Sequence, residues 1–215
     1  MDPIHAMNNP ELYQSGGKDS STKPVLSIAM HPSGYYMAAG FIDRVRIMHV
    51  LDDELRDFRS LEHRNCHMMK FSTGGQFLVI VEQKNFFVYS SFTLECLSRN
   101  KCSSTSFTSI AFNERDTCFG MVSSDGFIYR YDLVNLKSKG DGSIDRYCDF
   151  RSCIFLQDPK DEFKMMIVGS ENNRGLCRVY NQNEDYELTY RDDADFPGIK
   201  PLRKFSEVKI VQSQS

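Results

Sequence analysis

Residues 31–43, HPSGYYMAAGFID, return in outline at 113–125 as NERDTCFGMVSSD, 82 positions further on. Both stretches run from a polar turn of four through an apolar run to an Asp. Four longer segments align in the same way: VLSIAMHPSGYYMAAGFIDRVRIMHV from Val25, CHMMKFSTGGQFLVIVEQKNFFVYSS from Cys66, FTSIAFNERDTCFGMVSSDGFIYRYD from Phe107, and FRSCIFLQDPKDEFKMMIVGSENNRGLCRVY from Phe150. Ile28, Met69, Ile110 and Cys153 then share one place, spaced 41, 41 and 43 apart, while Asp43, Lys84 and Asp125 share another at intervals of 41. Two spacings that agree across three units without gaps constrain the fold more than any other feature of the chain. The fourth unit carries insertions at LQDPKDE and GSENNRG.

Each unit reads as strand, turn, strand, Asp-like turn, strand, and then a weaker fourth strand, near ELRDFRS, TLECLSR, SIDRYC and YELTYR. No stretch has a convincing helical period. A period near 41 with four strands per unit resembles the blade of a WD40-type β-propeller. The expected fold class is therefore all-β, a partial propeller of about four blades with four antiparallel strands each. The blades would occupy about 25–60, 61–100, 101–148 and 149–191. Residues 1–24, rich in Asn, Ser, Gly, Pro and Lys, read as a disordered tail. Residues 192–215 read as a second tail, with Phe205–Gln212 able to start another blade.

The usual blade of this type has a Gly-His before its first strand, an Asp in the turn before its third and a Trp-Asp ending the third. Here the Trp-Asp places hold His49-Val50, Ser90-Ser91 and Tyr131-Asp132, and the chain has no Trp. His63 stands where a blade histidine belongs, but its own unit has Gln83-Lys84 where the Asp is expected. Asp43, Asp125 and Gly126 fit the blade turn, with the third unit matching best. The blades should therefore rest mainly on apolar alternation, as at Ile110, Phe112, Met121, Ile128 and Tyr131.

A narrower likeness is carried by His31–Gly34, Gly40, Phe41, Asp43, Arg44, Arg46, Met48, Leu51, Asp53, Phe71, Ser72, Gly74 and Gly75. Over about residues 25–132 these positions make the chain similar to the cilia- and flagella-associated WD-repeat proteins of the axoneme. That resemblance implies a role in assembling or tethering dynein-associated complexes in motile cilia. It also implies a longer protein with more blades and a coiled-coil tail.

Four blades fall short of the about seven that this propeller type usually closes with. An open arc would expose apolar end faces. The expectation is that other proteins, a second copy, or missing blades complete the ring.

The bulk numbers leave little room for other classes. A net charge of −3 spread along 215 residues gives no basic patch for nucleic acid. No apolar run approaches the about 18 residues of a membrane span, and the N-terminus has no signal-like apolar region, so no membrane insertion is expected. Seven cysteines without a CxxC pair read as reduced thiols of a cytoplasmic protein.

Several stretches suggest chemistry. Ser15–Ser21, SGGKDSS, matches the loop with which ATP pyrophosphatases wrap a pyrophosphate. Such a loop needs a buried strand before it and a helix after it, and AMNNPELYQ and Pro24 supply neither. The cluster HRNCH offers His63, Cys66 and His67, short of the about four ligands a zinc ion takes. Asp52-Asp53 and Asp192-Asp193 sit in turn or tail contexts where solvated charge suffices. His31 reads as a turn residue beside Pro32 and Gly34. No nucleophile elbow is present.

The expected function is accordingly a non-enzymatic protein-interaction scaffold without cofactor or metal. It would be cytoplasmic, with a place in the cilium or axoneme implied by the resemblance. Partner binding is expected at rim loops holding Ile42 and Arg44, Gln83, Lys84 and Asn85, and Ser123 and Ser124. The alternatives are a nucleotide-using enzyme built on SGGKDSS, or a truncated, non-functional paralogue.

Overall fold

In a computed structural model, the structure describes residues 24–138, 143–144, 147–157, 164–172, 174–182 and 188–191. The SGGKDSS loop, Asp192-Asp193 and Phe205–Gln212 lie outside these residues. Seventeen β-strands and no helix make up the described chain.

The strands form four antiparallel sheets in sequence order. Blade 1 holds β1 (Ser27–Met30), β2 (Tyr36–Gly40), β3 (Val45–Val50) and β4 (Leu55–Leu61). Blade 2 holds β5 (Cys66–Phe71), β6 (Phe77–Glu82), β7 (Asn85–Ser90) and β8 (Cys96–Lys101). Blade 3 holds β9 (Phe107–Phe112), β10 (Cys118–Ser123) and β11 (Phe127–Asp132). Its outer edge is split between β12 (Lys137–Ser138) and β13 (Ser143–Ile144), both paired with β11. Blade 4 holds β14 (Cys148–Phe155), β15 (Met165–Glu171), β16 (Arg174–Gln182) and β17 (Leu188–Arg191). Of the stretch 143–148, expected to form one fourth strand, Ser143–Ile144 lie on that edge. Cys148 instead opens blade 4.

The first strands lie side by side, β1 against β5, β5 against β9 and β9 against β14, so the sheets stack as successive blades. Each blade then has a leading face toward the blade before it and a trailing face toward the blade after it. In blades 2 and 3 the middle strands are covered on both faces, which explains runs such as FLVIVE in β6 and CFGMVS in β10. The outer strands β4 and β8 carry Arg, Asp and Lys at exposed positions, which discourages pairing along an open edge.

Three apolar seams join the blades. The first packs Ala29, Ala38, Val45 and Ile47 of blade 1 on Met69, Phe71, Leu78 and Ile80 of blade 2. The second packs Val79, Val81, Phe86 and Val88 on Ile110, Phe112, Phe119 and Met121. The third packs Ala111, Val122 and Ile128 on Cys153, Met165 and Ile167. All five core positions expected in blade 3 are buried, but Ile128 serves the third seam and the other four serve the second.

The repeat extends to backbone detail. Positive φ occurs at Gly34, Gly75 and Asp116, 41 residues apart, each in the turn between first and second strands. A bulge in the first strand skips His67, Thr108 and Arg151 at matching places. The turns between first and second strands also brace one blade against the next. His31 Nε2–H donates to Gly75 O at 3.0 Å, while its Nδ1 accepts from Ser33 N–H. One blade on, Thr73 and Gly74 N–H donate to the two oxygens of Asp116 at 2.9 and 2.7 Å.

Candidate interaction surface

The turns between second and third strands, with the links that lead into each blade, form the rim where the blade histidine and aspartate were expected. A different polar pin fastens it in each of blades 2–4. In blade 2 His63 is buried, its Nε2 2.7 Å from the Tyr89 hydroxyl and its Nδ1 3.4 Å from Glu82. Arg64 N–H donates to the other oxygen of Glu82 at 2.5 Å. The His63 ring rests on Phe87 with centroids 4.4 Å apart, and Arg99 lies over the same Phe87 ring. Burial pushes His63 below its ordinary pKa of 6.5, with Glu82 pulling the other way. Burial likewise pushes the Tyr89 hydroxyl up to about 12.

Blade 3 uses Ser104, which stands 41 residues after His63. Its hydroxyl donates to Asp125 Oδ1 at 2.7 Å and accepts from Ser106 N–H. In blade 4 the buried Arg178 donates to Glu171 Oε2 at 2.9 Å and to Cys148 Sγ at 3.2 Å. Burial works against the Arg178 charge, but Tyr180, Glu171 and Cys148 outweigh it and hold the guanidinium ionised. Pins are thus replaced as well as lost, and Glu82, Tyr89, Ser104, Glu171 and Arg178 are the residues that sequence reasoning missed.

The rim residues themselves differ in access. Ile42 is exposed, and its carbonyl accepts from Asn65 N–H in the link to blade 2. Asp43 pairs with the adjacent Arg44 Nε at 3.0 Å. Gln83 and Lys84 are exposed and Asn85 is half-buried; Lys84 O accepts from Cys102 N–H. Ser124 is half-buried, its N–H donating to Ser106 O, and Asp125 is exposed. Gly126 takes a φ of 82° in the same turn. Ser123 corrects the expectation of an accessible rim residue: it is fully buried, with its hydroxyl accepting from Phe127 N–H at 2.9 Å.

No aromatic cluster was legible beforehand, yet one sits at the opposite end of the seam between blades 1 and 2. Tyr36, His49 and Phe58 pack together there, His49 edge to face on Phe58 and Tyr36 tilted against both. With Phe71, Phe92 and Leu94 from blade 2, Tyr36 and Phe58 border a cavity of about 120 Å³. Phe92 is 75% exposed.

Among the described residues no group of three His, Cys, Asp or Glu side chains is placed to hold a metal ion. His67 of the HRNCH cluster is the exposed bulge residue. No helix of the described chain is long and apolar enough to cross a membrane. Among the described residues no cysteine forms a disulfide; Cys66, Cys102, Cys148 and Cys153 are buried and Cys96 is exposed.

Four stacked antiparallel sheets, three of four strands and one whose outer edge is split in two, define a divergent WD40-type β-propeller arc. The solved WD40 repeats of RRP9 match it with a TM-score of 0.63 at 10% identity, over 79% of this chain and 51% of that one. The structure of U3-55K matches equally well, over 52% of its own length. By sequence, the chain is 27% identical over 166 residues to mouse cilia- and flagella-associated protein 57. It is 30% identical over 103 residues to cilia- and flagella-associated protein 57 A of Tetrahymena thermophila. It spans 12% and 8% of those two relatives, and 76% and 47% of its own length is matched. No family model matches the chain.

Proposed function

We propose that the chain is a protein-interaction scaffold that works within a complex of the cilium or flagellum. The observation that carries this reading is the rim. Blades 2 and 3 fix their turns with polar pins, so Gln83, Lys84, Asn85 and Ser124 project from a rigid frame and lose little entropy on binding, with Ile42 and Arg44 extending the rim on blade 1. Similarity to two cilia- and flagella-associated proteins supports the setting. Asp43, Asp125, Gly126 and His63 act as blade-turn residues in this account, holding the loops and making no partner contact.

The reading is tested with the tagged full chain in cells bearing motile cilia. Axonemal proteins should co-purify with it and be lost, at least tenfold, from an Ile42→Asp, Lys84→Glu double variant whose melting temperature is unchanged. Recovery of no ciliary component with the wild-type chain would sink the proposal. Retention in the rim variant with loss in Phe58→Ala, Phe92→Ala would move the contact to the aromatic groove.

A further inference from the structure

At the end opposite the rim, the seam between blades 2 and 3 is filled by Leu133, and the seam between blades 1 and 2 has no such plug. The difference lies at one position in the turn after the third strand. Ser91 N–H donates to Gln76 O, and one blade on Leu133 N–H donates to Thr117 O in the same way. Leu133 is buried in the second seam, with Leu136 packed against the same cluster. In the first seam the short Ser91 side chain takes that place and turns its hydroxyl to Gly75 O, which leaves the cavity open. The walls are also aromatic here. Phe58 stands at the bulge of β4 where β8 has Leu97, and Phe92 stands in the turn where blade 3 has Val134.

The groove is held in shape and edged with acid. Its volume of about 120 Å³ is well above the about 10–15 Å³ that one water needs, and leaves room for a side chain. The rings of Tyr36 and His49, and of His49 and Phe58, have centroids 4.9 Å apart and make one wall. Arg59 Nη1 donates to Thr93 O at 3.2 Å and ties that wall to the turn carrying Phe92. Phe58 is 52% exposed and Phe92 more so, and large rings left together in solvent mark a contact surface. The turn that follows β3 carries Asp52, Asp53 and Glu54, and Glu95 follows Leu94 of the lining. The nearby arginines are already engaged, Arg56 with Glu54, Arg46 with Asp57 and Arg59 with Thr93 O. Asp52, Asp53 and Glu95 are exposed and make no ion pair among the described residues.

We infer that this groove seats an extended segment of a partner protein that presents an arginine or lysine. The aliphatic stem of the basic side chain enters between Phe58 and Phe92, and its cationic head meets the ring faces there. The unpaired acids of the neighbouring turns draw the segment in and set its direction. A neutral segment gains nothing from those acids, and an acidic one is repelled by them. Because the Arg59 bridge fixes the walls beforehand, little ordering is left for the moment of binding. The groove lies at the other end of the blades from the rim loops, so this contact does not depend on the rim reading and can fail or hold without it.

Selection of phage-displayed random linear peptides on the immobilised full chain tests it, with the affinity of the selected peptides read by fluorescence anisotropy. The selected sequences should be enriched in Arg and Lys. Ser91→Leu, which copies the plug of blade 3, should weaken them about tenfold or more with an unchanged melting temperature. Asp52→Asn with Asp53→Asn, on an exposed turn, should also weaken them and flatten their dependence on salt. Glu62→Gln with Glu114→Gln removes the same charge from exposed positions elsewhere and should leave binding unchanged. Selection of no peptide, or of acidic or uncharged ones, overturns the inference. So does binding of basic peptides that either Ser91→Leu or the Asp52, Asp53 variant leaves intact. Equal loss in the Glu62, Glu114 variant overturns it as well, since bulk charge would then be the cause.

Discussion

At the scale of single residues, what stands out is polar groups that hold the rim without the residue types usual for it. Tyr89→Phe leaves the buried His63 Nε2 without its partner. It should cost about 1–3 kcal/mol in chemical unfolding, the penalty of an unsatisfied buried group. Tyr131→Phe should be neutral or stabilising in the same assay, because its hydroxyl is buried with no hydrogen-bond partner. Acid should weaken the blade 2 pin. Since His63 in the folded chain titrates below its ordinary 6.5, its unfolded form binds protons first. The stability it contributes is full above about pH 6.5 and is lost as pH falls through the folded value. Melting temperatures between pH 7.5 and 5 should drop less in His63→Asn than in the wild type. Burial also lifts the Cys66 and Cys153 thiols to about 11 and Cys102 to about 12. Of these and the exposed Cys96, only Cys96 should alkylate rapidly at pH 8, as peptide mapping would read.

At the scale of strands and turns, the blades are tied together at two levels, by apolar seams and by the bracing turns. Phe119 sits in the second seam with Phe86, Phe112 and Tyr131 at centroid distances of 5.7, 5.3 and 5.0 Å. Phe119→Ala should cost about 3–5 kcal/mol. Gly75 has a φ of 80°, and a Cβ there would lie 2.5 Å from His31 Nε2. Gly75→Ala should therefore cost about 1–3 kcal/mol and break the brace between blades 1 and 2. These elements were legible because apolar alternation and turn glycines act through spacing along the chain. The pins were less so. Glu82 lies two residues before the place expected for a blade acid and Tyr89 one before the usual aromatic place; what unites them with His63 is reach across a folded turn. The aromatic groove was hidden for the same reason, since Tyr36, Phe58 and Phe92 belong to two blades and three separate turns or strands. Ser123 was misjudged because a serine in a turn-like run reads as exposed, whereas here its hydroxyl serves the backbone at Phe127.

At the scale of the whole molecule, one register governs four sheets, and everything else follows from it. It sets which face of each blade meets the next, and why Ile28 and Ile154 are exposed where their counterparts are buried. It also leaves the rim turns on one side of the arc, where a scaffold would use them. The register was readable from the 41-residue spacings, because a repeat forces equivalent residues into equivalent contacts. Which proteins meet the rim was not readable, since binding loops owe nothing to the period. Hydrogen exchange along the native chain tests the register most directly. Protection should peak at the middle strands, Leu78–Val81 and Phe119–Val122, 41 residues apart, with the outer strands β4 and β8 exchanging sooner. Protection without that period, or strongest in β4 and β8, would contradict the account.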